Sequence, residues 1–200
     1  MNSISENEID PDPFVQFNNW YKIHLLSGTT IANSVSLGTS DCSGNISVRT
    51  VLLKEYSDDG FVFYTNYNSR KGQQLLSNPR AALLFFWPEL SQQVRIEGVT
   101  KMIPEEESNK YFSSRPRESQ ISAWASKQST VVPNREYLES DYRYYENLFS
   151  NIQVKKPEYW GGFRLTPDWF EFWSEGEHRL HDRLTYTLKD ESWIIRRLSP

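Results

Sequence analysis

A short run of basic, hydroxyl and amide residues, YTNYNSRKG, occupies positions 64–72. A predicted strand ends and a predicted helix begins within this run, so the adjacent cations Arg70 and Lys71 lie beside backbone N–H groups that have no partner inside the helix. Cations and free N–H groups together can bind a phosphate. A solvated turn that carries two surface charges fits the same residues, and their spacing alone leaves both interpretations open.

Tyr111, Arg115 and Ser119 are spaced four residues apart. If one helix ran through all three, their polar ends would lie on one side of it, where a guanidinium, a phenol and a hydroxyl can bind an oxyanion. Pro116 disfavours helical conformation at Arg115, and tyrosine–arginine pairs often only cover the surface of a helix. The spacing therefore permits an anion site and does not establish one.

Arg49 and Lys54 are the cations of an otherwise apolar segment, VRTVLLK, at positions 48–54. On a regular strand, residues five apart point to opposite faces unless a bulge intervenes. The pattern predicts either that the two side chains serve different ligands or that one of them is only exposed.

The densest group of polar side chains is EGEHRLHDR at positions 175–183, which holds His178 and His181, two of the three histidines. It lies between predicted β segments, and loops held by a rigid sheet are common places for functional sites. We predict no metal, because the chain has no HExxH motif and only one cysteine, Cys42. The chain also lacks the GxSxG, P-loop and GxGxxG motifs of hydrolases, nucleoside triphosphatases and dinucleotide-binding folds.

The composition narrows the classes of protein. The 200 residues carry a net charge of −4 and no long run of Lys or Arg, which disfavours a protein that binds the phosphate backbone of nucleic acid. The longest apolar stretch, at positions 81–87, is much shorter than the roughly 20 residues of a membrane span. With one cysteine and a polar, acidic start, the chain is predicted to be cytoplasmic and without disulfides.

Periodicity and turn residues predict the elements that hold these side chains. Asp12 and Pro13 mark the start of a first helix that runs to about residue 26. Strands are predicted at 34–40, 46–56, 61–67, 81–87, 94–102 and 159–173, with a hairpin at 184–198 that turns at 189–192. A short helix is predicted at 73–77, and interrupted helices are predicted between 104 and about 150.

Many short antiparallel strands with helices at one end or side predict an α+β protein whose sheet curls into a barrel, since closure removes exposed strand edges. Residues 1–11 are predicted to be a flexible N-terminal segment. Residues 12–200 are predicted to form a single domain.

Several motifs, in this order along residues 12–200, resemble those of the pyridoxine/pyridoxamine 5′-phosphate oxidase family. They are RTVLLK at 49–54, FYTN at 63–66, SRK at 69–71, YF at 111–112, RPR at 115–117, WASKQS at 124–129, WGG at 160–162 and RLHDR at 179–183. The resemblance implies an antiparallel FMN-binding split β-barrel with peripheral helices, and a homodimer with FMN at the subunit interface. It also implies oxidation of pyridoxine or pyridoxamine 5′-phosphate to pyridoxal 5′-phosphate by O2, with release of H2O2.

The resemblance assigns roles by matching position. The residues expected to contact FMN are Arg49, Thr50, Val51, Leu52, Tyr64, Thr65, Arg70, Lys71, Gln93, Gln128, Ser129, Trp173 and Arg183. The residues expected to bind the substrate phosphate are Lys54, Tyr111, Arg115 and Ser119. Arg179 and His181 are expected to face the pyridine ring as the catalytic pair, with orientation of the substrate as their role.

Two other functions remain open at this point. A phenazine-pathway flavin oxidase of the same fold shares the Arg-Leu-His pattern, but Lys54, Tyr111 and Arg115 favour a substrate that carries a phosphate. A non-catalytic carrier of flavin or pyridoxal phosphate would keep the binding residues without turnover. The presence of Arg179 and His181 argues against the carrier.

Overall fold

The computed structural model describes residues 4–28 and 31–200. These residues form five α-helices: α1 (Pro13–Leu26), α2 (Arg70–Ser77), α3 (Glu105–Ser114), α4 (Arg117–Ala125) and α5 (Arg135–Leu148). They also form nine strands: β1 (Ser34–Ser40), β2 (Ile46–Leu52), β3 (Glu55–Ser57), β4 (Gly60–Asn66), β5 (Arg80–Trp87), β6 (Gln92–Met102), β7 (Trp160–Ser174), β8 (Asp182–Lys189) and β9 (Ser192–Arg197). None of the helices in these two ranges combines the length and the hydropathy that a membrane crossing requires.

The strands of the described chain form one antiparallel sheet. Their order is β2-β1-β5-β6-β7-β4-β3, and the hairpin β8-β9 extends the sheet beside β7. β7 is 15 residues long and pairs with β6 over most of its length. Its first part also pairs with β4, and its last part pairs with β8. β7 therefore connects two separate regions of the sheet, and the mixture of this sheet with helices confirms the predicted α+β class.

An aromatic core joins α1 to the sheet. Phe17 of α1 is fully buried, and its ring centroid lies 4.9 Å from that of Phe61 in β4 and 5.0 Å from that of Phe85 in β5. Trp20, almost one turn further along α1, meets Phe172 of β7 at 5.3 Å. Each buried aromatic side chain removes a large apolar area from water, so this cluster holds the helix against three strands.

A second apolar cluster lies where α3, α4 and α5 meet the start of β7. Its buried members are Phe112, Ile121, Phe149, Val154 and Trp160. The rings of Phe112 and Trp160 pack edge to face with their centroids 5.1 Å apart. The cluster fixes the helices at the end of the sheet where β4 and β7 pair, which is the end that carries most of the predicted ligand residues.

Most predicted elements are confirmed within a few residues, and α1 begins at Pro13 with the Asp12 carboxylate accepting a hydrogen bond from the Phe14 N–H at 2.8 Å. The prediction of one strand at 46–56 was wrong, because β2 and β3 are separated at Leu53. The short helix starts at Arg70 rather than at residue 73, since Ser69 caps its first turn.

The described residues before α1 contact the rest of the domain. Ile9 is buried in the core, and the Tyr186 hydroxyl donates a hydrogen bond to the Asp10 carbonyl at 2.5 Å. The Ile4 N–H donates to the carboxylate of Asp182 at 3.1 Å. The division into a flexible segment 1–11 and a domain 12–200 stays a prediction.

Candidate active site

An open cavity of about 930 Å³ is lined by residues of β2, β4, α2, α3 and α4 and of the loop that follows α4. It brings together groups that the sequence presents separately. The predicted ligand residues in its lining are Arg49, Thr50, Val51, Leu52, Lys54, Tyr64, Thr65, Arg70, Lys71, Tyr111, Arg115, Ser119, Gln128 and Ser129. The volume lies in the range of small-molecule and cofactor sites.

Arg49 and Lys54 both line this cavity, although their spacing on a regular strand would separate them. β2 ends at Leu52, and the next side chain, Leu53, enters the core, where it is 4% exposed. The strand alternation therefore stops before Lys54. The structure therefore places both cations in the lining of one cavity.

The N-terminus of α2 is built for close approach to a ligand. The Ser69 hydroxyl accepts a hydrogen bond from the Gly72 N–H at 3.3 Å and donates one to the Asn66 carbonyl at 2.6 Å. A Cβ at Gly72 would lie 2.3 Å from the Tyr67 carbonyl oxygen, so only glycine lets the first helical turn pack on the preceding backbone. Arg70 therefore begins the helix at the cavity wall, where free N–H groups favour an anion.

Lys71 is a buried cation in the same turn. Its Nζ donates hydrogen bonds to Thr65 Oγ1 at 3.1 Å and to Gln128 Oε1 at 3.2 Å. Burial, and then the nearby positive charge of Arg49, lower the pKa of Lys71 to about 8. Both effects disfavour a second positive charge, so an anion bound here would stabilise the protonated lysine.

A second cationic group surrounds a stack of aromatic rings. The rings of Tyr64, Tyr111 and Trp160 are nearly parallel; the Tyr64 centroid lies 4.0 Å from that of Tyr111 and 5.3 Å from that of Trp160, and the last two lie 6.2 Å apart. The Arg115 guanidinium carbon lies 4.7 Å from the Trp160 ring centroid, and Lys54 Nζ lies 5.8 Å from that of Tyr111. The stack supports a cation at each side.

Arg115 reaches this position although no continuous helix carries it. The residue is extended, with φ −70° and ψ 150°, because it precedes Pro116, and it separates α3 from α4. Its Nη1 is buried, and no hydrogen-bond partner for it lies among residues 4–28 and 31–200. Burial also lowers the pKa of Arg115. A buried guanidinium nitrogen without an acceptor is a ready donor for an anionic ligand.

The charges in the cavity are of one sign. The cations in its lining are Arg49, Lys54, Arg70, Lys71 and Arg115. Among the described lining residues there is no Asp or Glu, and none of the five cations forms an ion pair within the described chain. In a chain with a net charge of −4 this separation of charge leaves the cations for anionic ligands.

The remaining predicted ligand residues lie elsewhere on the sheet in a single chain. Gln93 in β6 pairs with Trp173 in β7, and Trp173 pairs with Arg183 in β8. Arg179 and His181 precede β8 in the loop after β7. The structure thus groups these five residues with one another, and it does not place them in the cavity of the same protomer.

The loop before β8 holds the imidazole of His181 in one orientation. Its ring lies 4.8 Å from that of Trp173, and its Nδ1 accepts a hydrogen bond from the Gly176 N–H at 3.2 Å. A neutral ring with Nδ1 as acceptor carries its hydrogen on Nε2, which is then a donor. A Cβ at Gly176 would lie 2.1 Å from the Leu180 carbonyl oxygen, so the loop requires glycine there.

Arg183 is held by a buried carboxylate. Glu171, near the end of β7, is 1% exposed, and its Oε1 lies 2.6 Å from Arg183 Nε while its Oε2 lies 2.9 Å from Arg95 Nη1. The adjacent catalytic candidate, Arg179, is exposed and has a positive φ of 64°. The two arginines of the RLHDR motif therefore have different surroundings, one paired and one open to solvent in the single chain.

Comparison with known proteins decides the family. A model of pyridoxamine 5′-phosphate oxidase matches residues 29–149, and a model of the pyridoxine 5′-phosphate oxidase C-terminal dimerisation region matches residues 160–200. The chain is 47% identical over 201 residues to the pyridoxine/pyridoxamine 5′-phosphate oxidase of Nostoc sp. (strain PCC 7120). The alignment covers 100% of this chain and 94% of that protein. The chain belongs to the pyridoxamine 5′-phosphate oxidase family.

Solved structures support the same fold. PhzG from Burkholderia lata 383, in complex with tetrahydrophenazine-1-carboxylic acid, superposes with a TM-score of 0.93 at 27% identity, covering 100% of this chain and 99% of that one. A pyridoxamine 5′-phosphate oxidase-related, FMN-binding protein from Nostoc punctiforme shares the fold, with a TM-score of 0.72 at 15% identity over 92% of this chain and 97% of the other. The predicted FMN-binding split barrel is confirmed.

The cavity of this pyridoxamine 5′-phosphate oxidase family member fits FMN. Arg49, Arg70 and Lys71 form a group without carboxylates around a helix N-terminus, which suits the phosphate monoester of FMN. The segment 50–52 and Ser129 supply further polar backbone or side-chain groups along the cavity. The assignment of each residue to a particular atom of FMN stays a prediction.

Several residues at this site are not among the ligand residues predicted from the sequence. Ser47, Asn66, Ser122, Ser126 and Trp160 also line the cavity. Trp160 belongs to the WGG motif, and its aromatic type was the available signal. Asn66 and Ser126 likewise belong to the FYTN and WASKQS motifs, whereas Ser47 and Ser122 gave no signal, because serine is common on any exposed turn or helix.

Proposed function

We propose that this protein is an FMN-dependent oxidase that converts pyridoxine 5′-phosphate or pyridoxamine 5′-phosphate to pyridoxal 5′-phosphate, with O2 as the electron acceptor and release of H2O2. The amine substrate also takes up water and releases ammonia. The observation that carries the proposal is one cavity with two groups of cations and no lining carboxylate among the described residues. One group suits the phosphate of FMN and the other the phosphate of the substrate. The identity of 47% with a pyridoxine/pyridoxamine 5′-phosphate oxidase over the whole chain supports this function.

The protein is a homodimer, in keeping with its match to the family's C-terminal dimerisation region at residues 160–200. Trp160 lines the cavity, whereas Trp173 lies 13 residues further along the same strand, about 40 Å of extended backbone away. The two ends of β7 therefore do not meet at one site within one chain. We infer that Arg179, His181 and Arg183 of one protomer complete the cavity of the other.

Lys54 and Arg115 hold the substrate phosphate in this scheme, with the hydroxyls of Tyr111 and Ser119 as further donors. Each of these groups lies in the cavity, and Arg115 has a buried N–H without a partner in the described chain. Holding a remote phosphate places the substrate's ring in a defined position. This contribution is binding energy that is similar in the ground state and the transition state.

Bound FMN supplies the two-electron acceptor for oxidation of the substrate's 4′ carbon. Arg179 lies over the pyridine ring and orients it, and the Nε2–H of His181 donates a hydrogen bond to the ring's 3-oxygen. The hydrogen bond from Gly176 and the contact with Trp173 support this role, since they fix which nitrogen of His181 is the donor. Neither residue needs to transfer a proton.

The test is spectroscopic and uses the purified full-length protein. It is expected to be yellow, to lose its flavin absorbance anaerobically on addition of pyridoxamine 5′-phosphate, and to produce H2O2 in air. A yellow protein that stays yellow with the substrate would be a flavin carrier instead. A colourless protein that also fails to bind added FMN would contradict the proposal.

The phenazine alternative can be tested in parallel, because PhzG superposes closely. That protein was solved with a carboxylic acid, whereas the cavity described here offers Lys54, Tyr111 and Arg115 together. We expect turnover with pyridoxine 5′-phosphate and none with tetrahydrophenazine-1-carboxylic acid.

We also propose a cytoplasmic location, since the single cysteine, Cys42, rules out an internal disulfide.

A further inference from the structure

Gln74 lies in the second turn of α2, one turn after Arg70 and Lys71, and it is not part of the cavity lining. It is 4% exposed. A buried carboxamide has to satisfy both its oxygen and its nitrogen. Its partners in this structure all belong to β1, β2 or the turn between them, and one of them is Arg49.

Three donors surround the side-chain oxygen of Gln74. It accepts hydrogen bonds from the hydroxyls of Thr39 and Ser47, each at 2.6 Å, and Arg49 Nη2 lies 3.4 Å away. The Gln74 nitrogen donates to the Asn45 carbonyl at 2.9 Å. The orientation of the amide follows from its neighbours, because a guanidinium can only donate and a carbonyl can only accept.

The same two hydroxyls hold Arg49. Its Nη1 donates to Thr39 Oγ1 at 2.6 Å and to the Leu37 carbonyl at 3.0 Å, and its Nη2 donates to Ser47 Oγ. Both hydroxyls therefore accept from Arg49 and donate to Gln74. Both terminal nitrogens of Arg49 are used in this way, and Nε is left without a protein partner among the described residues.

The chemical type of residue 74 matters for charge as well as for geometry. Arg70 and Arg49 are close enough for the charge of Arg70 to lower the pKa of Arg49, second to the effect of burial. Arg49 in turn contributes to the low pKa of Lys71. A neutral amide completes this network without cancelling the positive charge, whereas a carboxylate at the same place would pair with Arg49.

We propose that Gln74 is a positioning residue for the FMN phosphate. It fixes Arg49 through the hydroxyls of Thr39 and Ser47, and as a neutral group it keeps the charge of Arg49 available to the phosphate. The proposal rests on the proposed function, because it takes FMN as the ligand of this cavity. One short helix, α2, then provides two direct phosphate ligands and the support of a third.

The test compares Gln74→Met, Gln74→Glu and a matched control, Gln73→Ala. Gln73 is the neighbouring glutamine on the same helix, is exposed, and is outside the cavity lining. Full-length protein stripped of flavin is titrated with FMN and with riboflavin, which lacks the phosphate, and flavin fluorescence is followed. Thermal unfolding of each flavin-free variant reports whether the fold is retained.

Loss of one well-aligned charge-assisted hydrogen bond predicts FMN binding about tenfold weaker in Gln74→Met, with riboflavin binding unchanged. Gln74→Glu is expected to weaken FMN binding further and again to spare riboflavin, because it keeps the acceptor oxygens but pairs with Arg49. Gln73→Ala is expected to bind both flavins as the wild type does. If Gln74 had a purely structural role, its replacement would instead weaken the binding of FMN and of riboflavin equally.

Three results would overturn the proposal. Wild-type affinity for FMN in both Gln74 variants would show that Arg49 needs no such support. Equal losses for FMN and riboflavin would assign Gln74 to packing alone. If the wild type bound riboflavin as tightly as FMN, or bound neither, the proposed phosphate site itself would fail, and this inference with it. Should Gln74→Met not fold, Gln74→Glu alone decides by its ratio of FMN to riboflavin affinity.

Discussion

The cations of the cavity differ from Arg183 and Arg197 of the C-terminal hairpin in what surrounds them. Arg183 and Arg95 share the buried carboxylate of Glu171, and Arg197 lies 3.0 Å from the carboxylate of Glu6. In the cavity, cations such as Lys71 contact only hydroxyls, amides, carbonyls and aromatic rings. The paired arginines have their charge balanced by the protein, and the cavity leaves that balance to its ligands.

Arg179, in the loop before the hairpin, differs from Arg183 and Arg197. It is exposed and forms no ion pair with the described residues, although Arg183, four residues later, is paired. Arginines whose charge a protein carboxylate balances, such as Arg183, therefore differ from arginines such as Arg179 that have no such partner among the described residues.

The largest expected effect is on FMN binding. Arg70→Ala and Lys71→Ala should each weaken it, since a hydrogen bond to a charged group contributes about 1.5–3 kcal/mol. The affinity of the double variant for FMN should be about 100-fold lower or more. Arg80→Ala is the control, because Arg80 is a surface cation paired with Asp168. Flavin titration of the folded variants gives the affinities. Unchanged affinity in the double variant would move the phosphate of FMN elsewhere.

Arg115 and Arg179 should differ in kinetics. Arg115→Ala should raise KM by about ten- to a hundredfold with little change in kcat, because a remote phosphate is bound about equally in the ground and transition states. Arg179→Ala should lower kcat as well, because the substrate ring loses its orientation. Both variants should stay yellow.

Steady-state kinetics with pyridoxine 5′-phosphate, together with flavin absorbance, distinguish these cases. If Arg179→Ala changed only KM and Arg115→Ala abolished kcat, the two assignments would be reversed. If either variant purified without flavin, that arginine would belong to the cations that bind FMN.

The sequence could predict the elements because their signals are local. Asp12 and Pro13 start α1 where the capping pattern indicates, and the hairpin turns between Lys189 and Ser192 as its polar run predicts. The break at Leu53 was missed, since nothing in an apolar run distinguishes a side chain that enters the core from one that continues the strand.

The cavity cations could be found from motifs, but their surroundings could not. Glu171 pairs with Arg95, 76 residues earlier in the chain, and Gln74 contacts Thr39, 35 residues earlier. Such contacts depend on strand order and register. Spacing in the sequence therefore identified the charged residues without showing which of them are paired.

Trp160 should have a moderate effect on substrate binding. Its ring supports Arg115, and a cation–π contact is worth about 0.5–2 kcal/mol, so Trp160→Leu should raise KM roughly two- to thirtyfold without removing FMN. Trp160→Phe keeps a ring and should show a smaller rise. If the Phe and Leu variants had equal KM values and differed only in stability, the ring would serve packing rather than Arg115.

The smallest expected effect is a pH dependence that originates at Lys71. Its pKa in the flavin-free protein, about 8, is below the ordinary lysine value of 10.5, because of burial and then of Arg49, while its other neighbours, Thr65 and Gln128, are neutral. FMN binds best to the protonated lysine. Its affinity should be level below about pH 8 and should fall above it by up to about tenfold per pH unit, until the raised pKa of the bound state is reached.

The stability of the flavin-free protein should change in the opposite direction. Between about pH 8 and the ordinary lysine pKa, the unfolded chain binds more protons than the folded one, so this lysine's contribution to the free energy of unfolding rises with pH. Lys71→Arg is the matched variant, since an arginine keeps its charge over this range. Its affinity for FMN should stay level where that of the wild type falls. A decline of equal size in both proteins would assign the titration to another group and would remove Lys71 from the cations that the cavity leaves unbalanced.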